Sequence, residues 1–214
     1  MSIESPKNWW QPIGKTEKLW LFLAIFWCAI MMFMMIYGHT RDHNMSQESY
    51  RTTPEKFRAV VEGFTEKYRA KDANGKPMSI AIKKLGGQDQ SIPVVDARDI
   101  PETPANYPNG TRRSKGADVF LLATNWKFTP ALILKKGKTY RIHMSSDNYQ
   151  HGFSLLPMNL NYQVLPNFDL VLTITPKEVS KSEEGFRIIC NEYCGSPSSE
   201  EGHHSMSGRI IVKE

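Results

Sequence analysis

An uncharged apolar block runs from Leu19 to Gly38, and beyond it apolar residues recur only in short, punctuated groups. At helical rise those twenty residues cover about 30 Å, the thickness of a bilayer core. Trp9, Trp10 and Trp20 on one side and Tyr37 on the other suit the two membrane interfaces. A cleaved signal peptide would carry a shorter apolar core, roughly 7–15 residues, ending in small side chains. The block has neither property, so the pattern predicts an uncleaved transmembrane helix over 19–38 behind a short segment 1–18.

The next periodic stretch is helical. Thr53 suits an N-cap and Pro54 a first helical position, and Phe57, Val60, Val61, Phe64 and Tyr68 fall on one face. This predicts a helix over 54–69 whose apolar face must pack on something. From Asp72 to Lys115 the chain is polar and broken by Gly75, Gly86, Gly87 and prolines at 77, 93, 101, 104 and 108. A short strand over 78–82 aside, that texture predicts an extended, Pro-rich arm inside a connecting region 39–115. From 116 onward short apolar runs alternate with turns. They predict strands over 118–128, 131–134, 139–144, 153–156, 170–174, 186–189 and 207–212, with a turn at 135–138. Short strands at regular intervals make 116–214 a mainly β domain, a small sandwich.

Charge excludes one class of partner. The net +5 divides into +1 over residues 1–38, +4 over 39–115 and zero over 116–214. The excess sits in the connecting region, with no basic stripe interleaved with aromatics, so nucleic-acid binding is not supported.

The chemistry concentrates at the end of the β-domain, in Cys190-Asn-Glu-Tyr-Cys194 and Gly202-His203-His204-Ser-Met206. Thiolate, imidazole and a weak thioether are the ligand set that selects copper for electron transfer. A zinc site would more often show paired Cys-x-x-Cys hooks. A disulfide is the plain alternative for two cysteines in an exported domain, but it has no use for Met206 standing three residues after His203. The segment lies between the strands ending at Ile189 and beginning at Ser207, where rigid ends hold a binding loop. His39, His43 and His143 lack ligand-type neighbours and read as surface or structural residues, and Cys28 and Met31 to Met35 as membrane side chains.

The run Cys190-Asn-Glu-Tyr-Cys194-Gly195, then His203-x-x-Met206-x-Gly208-x-Ile210, with His151-Gly-Phe153 upstream, resembles the CuA domain of cytochrome c oxidase subunit II. The resemblance covers about residues 117–214 and the single-anchor layout before them, as in bacterial and archaeal subunits. It implies a cupredoxin-type Greek-key β-sandwich behind an N-terminal transmembrane helix. It also implies a dinuclear copper centre bridged by the sulfurs of Cys190 and Cys194. His151 and His203 would each bind one copper, with Met206 and the backbone carbonyl of Glu192 as the weak ligands. The Glu192 side chain would be a candidate for Mg²⁺ at the interface with subunit I. Trp126 and Phe128 stand where the family carries an aromatic near the coppers. Either Trp126 is the exposed electron-accepting residue, or both are core residues of the first strand.

The implied function is the electron-accepting subunit of a membrane haem-copper oxidase, taking electrons from cytochrome c or another small donor. It would pass them to haem, which resides only in the partner, subunit I. Flanking lysines and arginines leave the orientation nearly tied. The resemblance places the N-terminus in the cytoplasm and the copper domain in the periplasm or outside the cell. One departure stands out: the family's histidine follows the second cysteine closely, as Cys-Gly-x-Gly-His, whereas His203 is nine residues after Cys194. Pro197 to Glu201 reads as an insertion that Gly195 and Gly202 allow to bulge outward, at small cost in closure entropy. The three-residue step to Met206 favours His203 over His204 as the ligand. Two other functions stay open on the sequence: the CuA subunit of a haem-copper nitric oxide reductase, and a membrane-anchored copper-binding or delivery protein.

Overall fold

A computed structural model describes residues 12–40, 47–82, 89–103, 115–156, 158, 160–195 and 202–214. Trp9, Trp10, His43, the Pro197–Glu201 insertion and the side chains of His39 and His204 lie outside the described residues. Met1–Met45 and Ser46–Glu214 form separate compact units.

The first unit contains helix α1, Lys15–Thr40. Trp20, Phe22, Ile25, Phe26, Trp27, Met31 and Phe33 are all exposed, so the helix is apolar all round. Its most apolar stretch, Lys15–Tyr37, has mean hydropathy 2.5 and buries nothing against protein. A surface of that kind is stable in lipid and untenable in water, and α1 is a membrane anchor.

The second unit is a two-layer β-sandwich, its strands numbered in chain order. In one layer β1 (Gln47–Arg51), β10 (Phe168–Ile174), β7 (Tyr140–Ser146) and β4 (Ala117–Thr124) lie side by side. In the other, β9 (Leu160–Val164), β8 (His151–Leu155), β11 (Phe186–Ile189) and β12 (Ser207–Lys213) continue into β6 (Ala131–Lys135), β3 (Gln90–Asp96) and β2 (Ser79–Ile82). Short β5 (Lys127–Thr129) joins the layers, antiparallel to β4 and touching β12 at Ser207 opposite Lys127. Alternate residues of both layers meet between them: Val119, Leu121, Ile142, Met144, Leu170 and Leu172 against Phe153, Leu155, Ile188, Ile210, Leu132 and Leu134. The chain is thus mainly β, a cupredoxin-type sandwich behind an N-terminal apolar helix.

Each layer is also covered on its outer side. Helix α2, Pro54–Lys67, is capped by Thr53 and lays Phe57 and Val61 on Leu122, with Phe120 packed alongside. It ends at Lys67, before the expected Arg69, because Arg69 bridges to Val95 and joins the sheet. On the other side Ala70, Ile82, Ile92 and Val94 pack on Ala131, Ile133 and Ile211. β6 is therefore buried on both faces, which explains its unbroken apolar run.

Here the structure corrects the expectation of an extended arm. Residues 79–82 and 90–96 form the β2–β3 hairpin, and β3 runs parallel to β6 with Val94 opposite Ala131 and Asp96 opposite Ile133. Ile92, Val94 and Val95 are fully buried. Apolar cover for the outer face of β6 and β12 outweighs the extended bias of Pro93. The stretch read as one strand over 118–128 is a hairpin: the chain turns at Asn125–Trp126 and returns as β5. β1 and β9 are additional strands that the apolar pattern does not announce.

Candidate metal centre

Register brings the ligand-type residues to one end of the second layer. β11 pairs with β12 so that Ile189 faces Ser207, which makes Cys190 to Met206 the connection at that end. β8 lies antiparallel on the other side of β11, with Ser154 facing Ile189. His151, the first residue of β8, therefore extends past the end of β11 to where the cysteine segment turns over. The expected strand over 153–156 leaves His151 outside it; the residue instead opens β8, whose partner β9 fixes it opposite Val164.

The two sulfurs lie 3.6 Å apart. Nδ1 of His151 is 4.0 Å from Cys190 Sγ, and Nδ1 of His203 is 3.7 Å from Cys194 Sγ. The carbonyl oxygen of Glu192 is 3.1 Å from Cys190 Sγ. Met206 is buried in the same apolar cluster as both cysteines. Among the described residues His151, Cys190 and Cys194 form a group whose ligand atoms all lie within 4.8 Å of one another. A 3-10 turn over His203–Ser205 presents His203, its corner tied by bonds between Gly202 and the Ser205 hydroxyl. The backbone N–H of His203 donates to the Gly195 carbonyl at 3.4 Å, closing the base of the intervening segment.

Electrostatics at the site suit a cation. Burial, with a smaller contribution from His203, lowers the His151 pKa to about 4, so its ring is neutral with a free lone pair at neutral pH. Nε2 of His151 is buried with no hydrogen-bond partner among the described residues. Burial, together with Cys190, pushes the Cys194 thiol up to about 12. Two buried thiols facing two imidazoles form a donor set that becomes fully effective once a soft cation compensates the thiolates. The residues present fit copper.

The aromatic pair separates. Phe128 is 1% exposed and packs edge-on against Phe153, so it is a core residue and not a surface contact for a donor. Trp126 sits at the turn, half-buried, its ring edge 3.3 Å from where a Cβ on Gly195 would stand. Tyr193, which sequence reasoning passed over, is 75% exposed with its ring 6.0 Å from that of His203. Its position between the two cysteines was the available signal. The Glu192 carboxylate accepts a hydrogen bond from Gln163 Nε2 at 3.2 Å. His143 proves structural, buried between Asp118 and Asp169.

No family model matches the chain. Two curated relatives, both cytochrome c oxidase subunit 2 of Thermus thermophilus, are each 34% identical to it over 97 residues. That match takes in 45% of this chain and 65% and 52% of the two relatives, so the chain spans between half and two thirds of their length. Among solved structures, a subunit of a heme-copper terminal oxidase dimer aligns over 93% of this chain and all of that one, at 16% identity and TM-score 0.47. The periplasmic domain of cytochrome oxidase subunit II of Bradyrhizobium japonicum aligns over 45% of this chain and 83% of that one, at 14% identity and TM-score 0.39. Likenesses at those TM-scores carry no weight by themselves. The sequence relationship does, and by it this chain is a relative of cytochrome c oxidase subunit II.

Proposed function

We propose that this chain is the electron-accepting subunit of a membrane haem-copper terminal oxidase, with a dinuclear CuA centre that takes electrons from cytochrome c and delivers them to haem in subunit I. The observation that supports it most is the arrangement of donors: two sulfurs 3.6 Å apart, each faced by Nδ1 of a different imidazole. One tetrahedral zinc could take two thiolates and two imidazoles, but it would have no use for the Glu192 carbonyl 3.1 Å from Cys190 Sγ or for the buried thioether of Met206, the weak donors that suit copper. Cys190 and Cys194 would be the bridges, His151 and His203 the terminal ligands, and Met206 and the Glu192 carbonyl the weak ones. When bound, a thiolate-bridged copper pair supplies a one-electron carrier whose unpaired electron is shared by both metals.

The chain's own residues do the rest. His151 stays neutral because it is buried, and so offers its lone pair without first losing a proton. Both cysteines and Met206 are enclosed in the sandwich core, which excludes water and resists movement of the ligands. Tyr193 and Trp126 provide aromatic surface beside the ligands where a small donor protein would touch. The Glu192 carboxylate is the proposed Mg²⁺ contact toward subunit I. α1 would place the N-terminus in the cytoplasm and the copper domain in the periplasm or outside the cell.

The test is copper reconstitution of the full chain in detergent, with metal-to-protein ratio and EPR spectra. Two coppers per chain and hyperfine structure shared over two copper nuclei are expected. One copper per chain, with hyperfine structure from a single nucleus or a copper(I)-only site, would point to a binding or delivery protein and overturn the proposal.

A further inference from the structure

The Cys190–Cys194 segment does more than connect β11 to β12: it lies against the β8–β9 hairpin. A Cβ added to Gly152 would overlap the Asn191 side-chain oxygen and stand 2.8 Å from the Glu192 backbone nitrogen, so the segment rests directly on the Gly152 backbone. Two side chains of β9 reach onto it. Asn191 Nδ2 donates to Asn161 Oδ1 at 2.7 Å, and Gln163 Nε2 donates to Glu192 Oε1 at 3.2 Å. Asn161 and Gln163 are two apart on β9 and stand opposite Ser154 and Gly152 of β8. All four therefore face the side of the hairpin away from His151 and Phe153. Beneath the segment, the backbone N–H of Gly152 points at Cys190 Sγ, 3.4 Å away.

We propose that Asn161 and Gln163 are positioning residues for the cysteine segment: the two amides of β9 pin Asn191 and Glu192, and so hold the Cys190 sulfur against the Gly152 N–H. Two bonds to alternate positions of one strand fix the segment against both lifting and rotation, which one bond would not. They also tie the segment carrying Cys190, the Glu192 carbonyl and Cys194 to the strand pair carrying His151, so the spacing between those donors is set by β8–β9 pairing. An N–H directed at a ligand sulfur draws electron density from it and favours the reduced metal. Polar partners one step behind the ligands typically change metal affinity by about 10–100-fold. The part of this proposal that concerns copper rests on the function proposed above; the pinning of the segment does not.

Both β9 amides are solvent-exposed, so their removal leaves the core untouched. The experiment compares the full-length wild type with Asn161→Ala, the Asn161→Ala/Gln163→Ala double variant, and Asn161→Asp, which keeps the acceptor. In the copper-free proteins, backbone hydrogen exchange over 190–195 should quicken several-fold in the double variant, less in Asn161→Ala, and hardly at all in Asn161→Asp. In the copper-loaded proteins, the double variant should retain copper about tenfold more weakly. It should also shift the ratio of oxidised to reduced affinity by about tenfold, a fall in potential of ~59 mV for a one-electron couple. Exchange over 190–195 that is unchanged in the copper-free double variant would overturn the pinning. A potential and a copper retention equal to wild type, with copper bound, would overturn the claim that the pinned segment holds the Cys190 sulfur for the metal. Wild-type protein that binds no copper pair while the double variant still exchanges faster would sink the function proposed above and support the pinning. Should the double variant fail to fold, Asn161→Ala read against Asn161→Asp carries the same decision.

Discussion

His203 stands on the 3-10 turn with Nδ1 toward Cys194, while the insertion before it leaves a neighbouring histidine at 204. The two are separable by substitution. His203→Ala should abolish the shared-electron copper spectrum and His204→Ala should preserve it, as read by EPR after copper loading; the reverse pattern would exchange their roles. Gly208 is a second decisive position, because an added Cβ would stand 2.6 Å from Phe128 Cβ. Gly208→Ala should cost about 1–3 kcal/mol through overpacking, measurable as a shift in the urea midpoint. The donor atoms were legible in the sequence because the chemistry resides in the residue type: few roles other than metal binding use Cys190, Cys194, His203 and Met206 at that spacing. Asn161 and Gln163 were not legible. Exposed amides at alternate positions of a strand look like any solvated face until the fold brings Asn191 and Glu192 onto them.

The β2–β3 hairpin shows why elements were harder to read than ligands. Glycines and prolines dominate the composition from 72 to 115, and the apolar residues of β3 are too few to register as a period. What makes Gln90–Asp96 a strand is the face of β6 and β12 that needs cover, a requirement that lies about forty residues and more further along the chain. Two consequences can be measured. Ile92→Ala should destabilise the domain by about 2–5 kcal/mol, the range for emptying a buried aliphatic site. A fragment of residues 116–214 should be far less soluble and less cooperative in thermal unfolding than one of 46–214, since it bares Ala131, Ile133 and Ile211 on one side and Phe120 and Leu122 on the other. Equal behaviour of the two fragments would show that the hairpin and α2 are dispensable. β6 and β12, by contrast, were plain in the sequence as dense apolar runs bounded by turns.

Across the whole domain, a buried charge cluster links three strands of the first layer. His143 of β7 binds Asp169 of β10 at 2.8 Å and Asp118 of β4 at 3.1 Å, and Arg141 of β7 reaches Asp118 at 3.0 Å. Burial opposes charging His143, but hydrogen bonds to the two carboxylates hold its pKa above the ordinary histidine value. A folded pKa raised above the unfolded one adds stability that is complete below about pH 6.5 and fades as pH rises through the folded pKa. Burial likewise opposes ionising Asp118, yet His143 and Arg141 keep its pKa below the usual carboxylate value. Its contribution is present above about pH 4 and is lost as pH falls through the folded pKa. The stability difference between wild type and His143→Gln should therefore be largest in mild acid and shrink on the alkaline side; a difference flat in pH from about 5 to 9 (limits set around the unfolded value) would exclude a charged His143. A last consequence concerns the bond from His203 N–H to the Gly195 carbonyl. That backbone bond joins Gly195 to His203 without drawing on any side chain at 197–201. Excising Pro197–Glu201 should therefore leave the copper spectrum intact, as a splice that spares the joint; loss of the spectrum would show that those residues help to build the site.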